Sequence, residues 1–152
     1  MTLTLVDLRP GPTDDRWWEP PFDETASYEY PDWWNPHLYG ADNPWYVQVL
    51  VGGDEVARVQ LDDPGGVNPQ YLGVPKLGPE RLEIQFFEVA TAARGRGVGT
   101  RAVRALEARH PDRRLFAYSE ESNGFWASLG WERFDHPEGE QFHRPLFIQP
   151  TR

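Results

Sequence analysis

The stretch LEIQFFEVATAARGRGVGT, residues 82–100, decides the fold. Leu82 to Val89 is apolar, β-prone and partly alternating, and this pattern predicts a β-strand. A glycine-rich turn follows, in which the glycines free the backbone to turn tightly and to approach a ligand closely. Helical character continues over Thr100–Arg109 and ends at His110-Pro111, because proline cannot continue a helix. The stretch therefore predicts a strand, a glycine turn and a helix in succession.

The glycine turn is a candidate anion site. A helix N-terminus presents backbone N–H groups that lack intrahelical partners, and glycines let a ligand approach them. Gly95, Gly97 and Gly99 have this placement, and Arg94 and Arg96 add charge-assisted donors. The sequence therefore predicts that an anionic group binds where this helix begins.

Length and composition limit the class of protein. A chain of 152 residues with 39% apolar and 14% aromatic residues is long enough to form one domain with its own core, here residues 1–152. It has no cysteine, which excludes disulfides, thiolate zinc sites and a cysteine nucleophile. No apolar run has the length of a membrane span, and the N-terminus lacks the pattern of a signal peptide. We therefore expect a cytoplasmic protein that does not bind membranes.

The net charge of −9 is unevenly distributed. Residues 10–57 hold ten acids and one base, whereas residues 94–114 hold seven arginines. Two interpretations stay open: a solvated surface, or a cationic substrate on one side and an anionic cofactor on the other. The overall acidity argues against nucleic acid as a partner.

The remaining patterns predict a sheet with few helices. Gly52-Gly53-Asp54 predicts a hairpin, a short helix runs through Phe125 and Leu129 to Gly130, and the other strands are Leu3–Leu8, Trp45–Val51, Glu55–Leu61, Leu115–Tyr118, Trp131–Phe134 and Leu146–Ile148. The strand, helix and strand between residues 82 and 118 imply a parallel pair with a right-handed crossover. The predicted fold class is α/β (α+β): a mixed, mainly antiparallel sheet with helices on both faces.

Two segments resist assignment to long elements. Residues 13–44 combine many aromatic residues with prolines that forbid one long helix, so short helices or a packed loop remain. Residues 62–79 are rich in glycine and proline and are predicted to form a long loop.

The spacing of the glycines separates three classes of phosphate-binding loop. A P-loop needs a lysine after its last glycine, but Thr100-Arg101 follows here and the only lysine is Lys76. A dinucleotide fold needs Gly-x-Gly-x-x-Gly, an acid about 20 residues later and a second half-domain. Here the glycines are spaced two and two, and the chain after Glu120 is too short for that half.

The third class fits. Arg94-x-x-Gly97-x-Gly99 resembles the Arg/Gln-x-x-Gly-x-Gly/Ala signature of the GNAT superfamily of acyl-CoA-dependent N-acetyltransferases. Val89 lies where that family has the valine at the end of its strand. The segment Phe125–Trp131, FWASLGW, resembles the family's later Phe-Tyr-x-x-x-Gly-Phe segment. The resemblance covers about residues 45–148 and implies N-acetylation of an amine by direct transfer from acetyl-CoA in a ternary complex.

The resemblance also implies site residues. Backbone N–H groups would hold the pyrophosphate of coenzyme A, and they belong to Arg94, Gly95, Arg96, Gly97, Val98, Gly99 and Thr100. The strand at Phe87–Val89 would diverge from its neighbour and pair with the pantetheine arm, and the Val89 N–H would polarise the thioester carbonyl. Trp126, Ser119 and Asn123 complete the implied cofactor set, although the family often has asparagine where this chain has Ser119.

Catalytic side chains are less well defined. Glu83 lies eleven residues before Arg94, the position of the glutamate base in histone acetyltransferases of this superfamily; an exposed strand carboxylate and a base that acts through water stay open as alternatives. Strict alternation predicts Glu83, Gln85 and Phe87 on one face of the strand and Ile84, Phe86 and Glu88 on the other, unless a bulge at 87–89 redirects Glu88.

The acid that protonates the leaving thiolate is missing from its usual place. Many family members have a tyrosine there, but this chain has Trp126, whose indole has no useful acidity. Tyr118, Ser119 or Ser122 would then assist through water. This departure motivates an alternative from another class: a non-catalytic acyl-CoA-binding or protein-interaction module.

The resemblance implies that residues 13–44 and 62–79 form the acceptor side. Aromatic rings beside carboxylates suit a protonated amine. The tryptophan pairs Trp17-Trp18 and Trp33-Trp34 either cover one end of the sheet or form a homodimer surface. The histidines have no spacing typical of metal ligands, so no metal is expected.

Overall fold

The computed structural model describes residues 2–151. Within these residues seven strands form one sheet: β1 (Leu3–Leu8), β2 (Trp45–Val51), β3 (Asp54–Asp62), β4 (Arg81–Val89), β5 (Arg114–Tyr118), β6 (Glu132–Phe134) and β7 (Leu146–Ile148). The helices are α1 (Pro36–Tyr39), α2 (Val98–Arg109) and α3 (Asn123–Ser128), with 3₁₀ turns at Pro31–Trp34 and Thr91–Ala93. The predicted fold class is confirmed.

The strand order is β1-β2-β3-β4-β5-β7-β6. Every pair is antiparallel except β4 and β5, which run parallel and are joined through α2, as the sequence predicts. This parallel pairing is short: it joins Arg81–Glu83 to Arg114–Phe116 and then stops. Beyond that point β4 and β5 diverge and leave an opening in the middle of the sheet.

A β-bulge at Gln85 changes which residues of β4 share a face. The register with β3 moves from Leu61 opposite Ile84 to Gln60 opposite Phe86, which leaves Gln85 without a partner on β3. Phe87 therefore shares the face of Ile84, whereas Glu83, Phe86 and Glu88 share the opposite face. The strict alternation predicted for this strand is wrong beyond Gln85, because the bulge inverts the pattern.

Helices α2 and α3 cover one face of the sheet. The buried stripe of α2 consists of Val98, Ala102, Val103 and Leu106, and it packs with Trp126 and Leu129 against the strands. Arg101 and Arg104 lie on the exposed side of α2, as the periodicity predicts. This packing fixes the N-terminus of α2 beside the opening between β4 and β5.

Residues 13–44 cover the opposite face at β2–β4. Buried Glu55 anchors this segment, since its carboxylate accepts hydrogen bonds from Asp23 N at 3.0 Å, Tyr28 Oη at 2.9 Å and Gln48 Nε2 at 2.8 Å. Arg58 Nε lies 2.8 Å from the same carboxylate. These bonds satisfy the buried charge and hold the aromatic segment on the sheet.

The two tryptophan pairs have different environments. Trp34 is buried and packs near Phe22 and Tyr46, as the covering interpretation predicts. Trp17 is 63% exposed, so its ring does not serve the core.

Candidate active site

The opening between β4 and β5 forms a cavity of about 390 Å³. It extends from the N-terminus of α2 across the sheet to the side covered by residues 13–44. Of the residues assigned to the cofactor from the sequence, these line it: Phe87, Val89, Arg94, Gly95, Gly97, Val98, Gly99, Thr100 and Trp126. Glu83, Arg96, Ser119 and Asn123 do not line it.

The edge of β4 offers backbone groups to this cavity. Ala90 N donates to Val56 O at 2.8 Å, so Ala90 and Val56 of β3 form a hydrogen-bonded pair of the ladder. Hydrogen-bonded and non-hydrogen-bonded pairs alternate along an antiparallel ladder. Phe87 and Val89, which lie opposite Val59 and Ala57, therefore belong to non-hydrogen-bonded pairs, and their N–H groups point away from β3 into the opening.

The glycine turn has the conformation that an anion site needs. Gly95 has a φ of 77° and Gly97 a φ of 72°, both in the left-handed region that favours glycine, and a Cβ at either position would meet open space. Gly97 is the N-cap of α2, no side chain caps the helix there, and Val98, Gly99 and Thr100 of its first turn line the cavity. A pyrophosphate fits this cradle.

Gly99 has a different role from the other two glycines. A Cβ at Gly99 would lie 3.1 Å from Phe125 Cε1 and 3.6 Å from Val89 Cγ2. The absence of a side chain therefore lets α2 approach β4 and α3 closely enough to form the end of the cavity.

Arg94 is bound to carboxylates in this structure. Its guanidinium lies 3.0 Å from Glu29 Oε1 and 3.7 Å from Glu88 Oε2. Buried Glu88 also accepts from Glu29 N at 2.7 Å, Tyr30 N at 3.0 Å and Trp34 Nε1 at 3.1 Å. Glu88 thus joins the glycine turn to the segment over the other face, a structural role that the sequence did not indicate.

The α3 side of the cavity is aromatic. Trp126 is buried, its ring centroid lies 6.4 Å from that of Phe87, and its Nε1 donates to Ser122 Oγ at 3.2 Å. Ser119 is also buried, and its Oγ accepts from Ser122 N at 3.1 Å. Asn123 Nδ2 donates to Glu140 Oε1 at 2.6 Å. Ser119 and Asn123 both bind protein groups and do not line the cavity, and their assignment to the cofactor stays a prediction.

Glu83 lies under the loop that follows β3. Its Oε1 accepts from Gly66 N at 3.3 Å, and a Cβ on Gly65, whose φ is 81°, would lie only 2.5 Å from Glu83 Cβ. Burial, reinforced by nearby Asp62, raises the pKa of Glu83 to about 7. A carboxyl with this pKa exchanges protons near neutral pH, which is the property a general base needs.

Tyr118 lines the cavity and bonds to Gly66, the same residue that bonds to Glu83. Its ring lines the cavity, while its hydroxyl accepts from Asn68 N at 2.8 Å and donates to Gly66 O at 3.2 Å. Desolvation, together with the charge of Glu83, raises the pKa of Tyr118 above its ordinary value. Tyr118 is therefore neutral at physiological pH and fixed in position by the same loop that covers Glu83.

The wall of the cavity on the acceptor side was not predicted residue by residue. Tyr30 and Trp33 stack with centroids 4.4 Å apart, and Trp33 stacks on Phe86 at 5.1 Å. Glu120 and Arg144 also line the cavity, and the Arg144 guanidinium lies 5.7 Å from the centroid of the Tyr118 ring. The aromatic composition of residues 13–44 was the sequence signal for this wall. The bulge that turns Phe86 toward the stacked rings could not be predicted from the sequence.

One cluster of possible metal ligands lies in the loop between β6 and β7. Ligand atoms of His136, Glu138 and His143 are within 4.8 Å of one another. Both ring nitrogens of His136 have protein partners, Glu138 N at 3.1 Å and Gln70 Oε1 at 3.1 Å. The two imidazole rings stack with centroids 3.6 Å apart and an interplanar angle of 17°, so their in-plane lone pairs lie in two nearly parallel planes. The expectation of no metal stays a prediction.

Comparison with known proteins identifies the fold and its family. A family model described as Acetyltransferase (GNAT) family matches residues 12–131, a range that contains the glycine turn, β4, β5 and α3. The chain belongs to the GNAT acetyltransferase family. Acetyl transfer from an acyl-CoA is therefore the general activity of this acetyltransferase. Comparison with curated protein sequences finds no match.

Solved structures agree with the fold. An acetyltransferase from Thermus thermophilus is 17% identical with a TM-score of 0.53, over 76% of this chain and 69% of that one. The Bacillus subtilis N-acetyltransferase YlbP, in complex with coenzyme A, is 19% identical with a TM-score of 0.51, over 81% and 76%. Aminoglycoside acetyltransferase AAC(6')-Ib, in complex with coenzyme A and kanamycin, is 19% identical with a TM-score of 0.53, over 79% and 74%. No helix within residues 2–151 has the length and apolar character required to cross a membrane.

Proposed function

We propose that this GNAT protein is an N-acetyltransferase that transfers the acetyl group of acetyl-CoA directly to an amine in a ternary complex. The observation that supports this most strongly is the opening between β4 and β5, which begins at an uncapped helix N-terminus and continues along an unpaired strand edge. The phosphates would bind at Gly95–Thr100, and the pantetheine would pair with the N–H groups of Phe87 and Val89.

The reaction balances without a covalent enzyme intermediate. The neutral amine nitrogen attacks the thioester carbonyl carbon, the C–N bond forms, and the C–S bond breaks. The nitrogen loses one proton and the thiolate gains one, so coenzyme A leaves as the free thiol. The Val89 N–H would stabilise the oxyanion, and placement of the two substrates would supply much of the rate.

Glu83 would accept the proton from the amine. It does not line the cavity, so the proton would pass through water and past the hydroxyl of Tyr118. Because Trp126 cannot protonate the thiolate, Tyr118 and Ser122, which both line the cavity, are the side chains placed to assist it. The ordinary pKa of a thiol, near 8.5, makes the thiolate a tolerable leaving group in any case.

The acceptor would enter across the face that residues 13–44 cover. The stacked rings of Tyr30, Trp33 and Phe86 line the same cavity as Glu120, and Glu29 lies beside Tyr30. Rings and carboxylates together suit a protonated amine before it loses its proton. The kanamycin complex of AAC(6')-Ib supports amines as acceptors within this fold. Exposed Trp17 supports, as a separate proposal, a surface for a second copy of the chain.

Release of free thiol from acetyl-CoA over a panel of amines tests the proposal. Turnover that depends on both substrates and gives an acetylated amine by mass spectrometry supports it. Binding of coenzyme A without turnover on any amine would favour the alternative, a non-catalytic acyl-CoA-binding or interaction module, which the tryptophan at position 126 motivates.

A further inference from the structure

A second cavity adjoins the first and has no carboxylate among the described residues of its lining. Its volume is about 460 Å³, and its lining consists of Gly66, Asn68, Tyr71, Tyr118, Phe142, His143 and Arg144. Two of these residues, Tyr118 and Arg144, also line the first cavity, so they form the boundary between the two. The charged lining of the first cavity is balanced, with Glu88 and Glu120 opposed to Arg94 and Arg144, whereas, within residues 2–151, Arg144 is the one arginine in the lining of the second and no carboxylate lines it.

We propose that the second cavity binds the part of the acceptor that lies beyond its reacting amine. This part includes a carboxylate, which Arg144 recognises. The acceptor would then be an amine of the amino-acid type, with its nitrogen in the first cavity and its carboxylate at the boundary. This inference rests on the proposed function, because it specifies the acceptor of that same reaction.

Arg144 is placed to exchange partners. Its Nη1 lies 2.9 Å from Glu120 Oε2, and both side chains are about half exposed, at 52% and 54%. Exposed ion pairs of this kind contribute little to stability, so an incoming carboxylate replaces Glu120 at small cost. A planar guanidinium also binds a carboxylate through two parallel hydrogen bonds, which fixes its orientation.

The backbone under this side chain is held firmly. Buried Tyr71 donates from its hydroxyl to Arg144 O at 2.7 Å, and the Arg144 guanidinium lies 5.7 Å from the centroid of the Tyr118 ring. Tyr118 is itself held by Gly66 and Asn68. The recognition group is thus exposed at its charged end and held through its backbone, as a specificity residue should be.

A zwitterion satisfies both members of the Arg144–Glu120 pair. Its ammonium group faces Glu120 and the aromatic wall, while its carboxylate faces Arg144, so one ion pair is replaced by two. A diamine brings no anion for Arg144 and places a second cation beside it, which disfavours it by like-charge repulsion. The rings of Tyr71 and Phe142 leave an apolar surface for the side chain of such an acceptor.

Matched acceptors test the carboxylate directly. We expect kcat/KM for L-phenylalanine, L-leucine and L-lysine to exceed that for the corresponding amides by about tenfold or more, because one charge-assisted contact is lost in the amide. In Arg144→Gln this ratio should fall to about one, because kcat/KM for the amino acids falls much further than kcat/KM for the amides, and Arg144→Lys should restore part of it. Arg133→Gln is the matched control, because Arg133 is a half-exposed arginine whose ion pairs with Asp135 and Glu140 lie outside both cavities.

The outcomes separate this inference from the proposed function. Acetylation of amines with no preference for the carboxylate, or a preference that Arg144→Gln leaves intact, overturns the inference and keeps the function. If no amine is acetylated, binding decides: protein loaded with coenzyme A should bind N-acetyl-L-phenylalanine more tightly than its amide, with the difference lost in Arg144→Gln. Equal binding of the two, or binding of neither, overturns the inference.

Discussion

Replacement of Glu83 by glutamine should stabilise the protein at alkaline pH. In the folded protein burial raises the pKa of Glu83 from 4.5 to about 7, so between these pH values the folded state retains a proton that the unfolded state has released. The contribution of this carboxyl to stability is therefore fully present below pH 4.5 and is lost as the pH rises through 7. The difference between the pKa of Glu83 in the folded and unfolded states corresponds to about 3 kcal/mol in the free energy of unfolding.

Glutamine mimics the protonated carboxyl in shape, and its oxygen still accepts from Gly66 N. Glu83→Gln should hence match the wild type at pH 5 and gain about 2–3 kcal/mol at pH 8.5, which is a rise in Tm of about 5–10 °C. Urea unfolding followed by tryptophan fluorescence at both pH values measures this. Exposed Glu132 on β6 provides the control, because Glu132→Gln should show no such dependence on pH.

The same variant tests the role of Glu83 in catalysis. If Glu83 is the base, kcat/KM of the wild type rises with pH through about 7, and Glu83→Gln loses both that rise and most of the activity at pH 8. A variant that is less stable at pH 8.5 than at pH 5, relative to wild type, would show that the carboxylate is stabilised in the folded protein and that its pKa is not raised. Full turnover in Glu83→Gln would reject Glu83 as the base and leave the transferase in place.

Three further substitutions test the packing around the cavity. Glu88→Gln should lower the free energy of unfolding, measured in urea, by about 2–4 kcal/mol, because an amide cannot accept from the three N–H donors and also pair with an arginine. An unchanged free energy of unfolding would contradict the anchoring role of Glu88. Gly99→Leu should weaken coenzyme A binding at least tenfold in calorimetry, since the side chain collides with Phe125; unchanged affinity would show that α2 need not approach so closely. Gly65→Ala should lower the free energy of thermal unfolding by about 1–3 kcal/mol, because the new Cβ at a positive φ would collide with Glu83. A stabilised variant would refute this contact.

The elements were predictable because their signals are local. Apolar and β-branched runs marked the strands, and the buried face of α2 followed the helical repeat from Val98. The parallel pairing of β4 and β5 followed from the connection through a helix, which permits few alternatives. The glycine turn was also predictable from a local signal, because the spacing of its glycines and its position between a strand and a helix are both visible in the sequence.

The faces of β4 were not predictable, because a bulge depends on how a strand pairs with its neighbour. Gln85 has no residue opposite it on β3, and this single insertion sends Phe87 to the helices and Phe86 to the aromatic stack. The roles of Glu88 and Arg144 were hidden for a similar reason. The three groups that donate hydrogen bonds to Glu88 lie 54 or more residues away in the chain, and Glu120, the ion-pair partner of Arg144, lies 24 residues away, so only the folded chain brings them together.

Calorimetric titration with acetyl-CoA tests the central claim, that the glycine turn and the opening in the sheet hold this cofactor. Gly97→Glu places a carboxylate in the open space beside the N-terminus of α2 and should abolish binding. Gly139→Glu is the matched control, because Gly139 also has a positive φ, 90°, and open space around it but does not line the cavity. We predict binding by the wild type and by Gly139→Glu, with none by Gly97→Glu. No binding by the wild type at millimolar acetyl-CoA, or equal binding by all three proteins, would contradict the account.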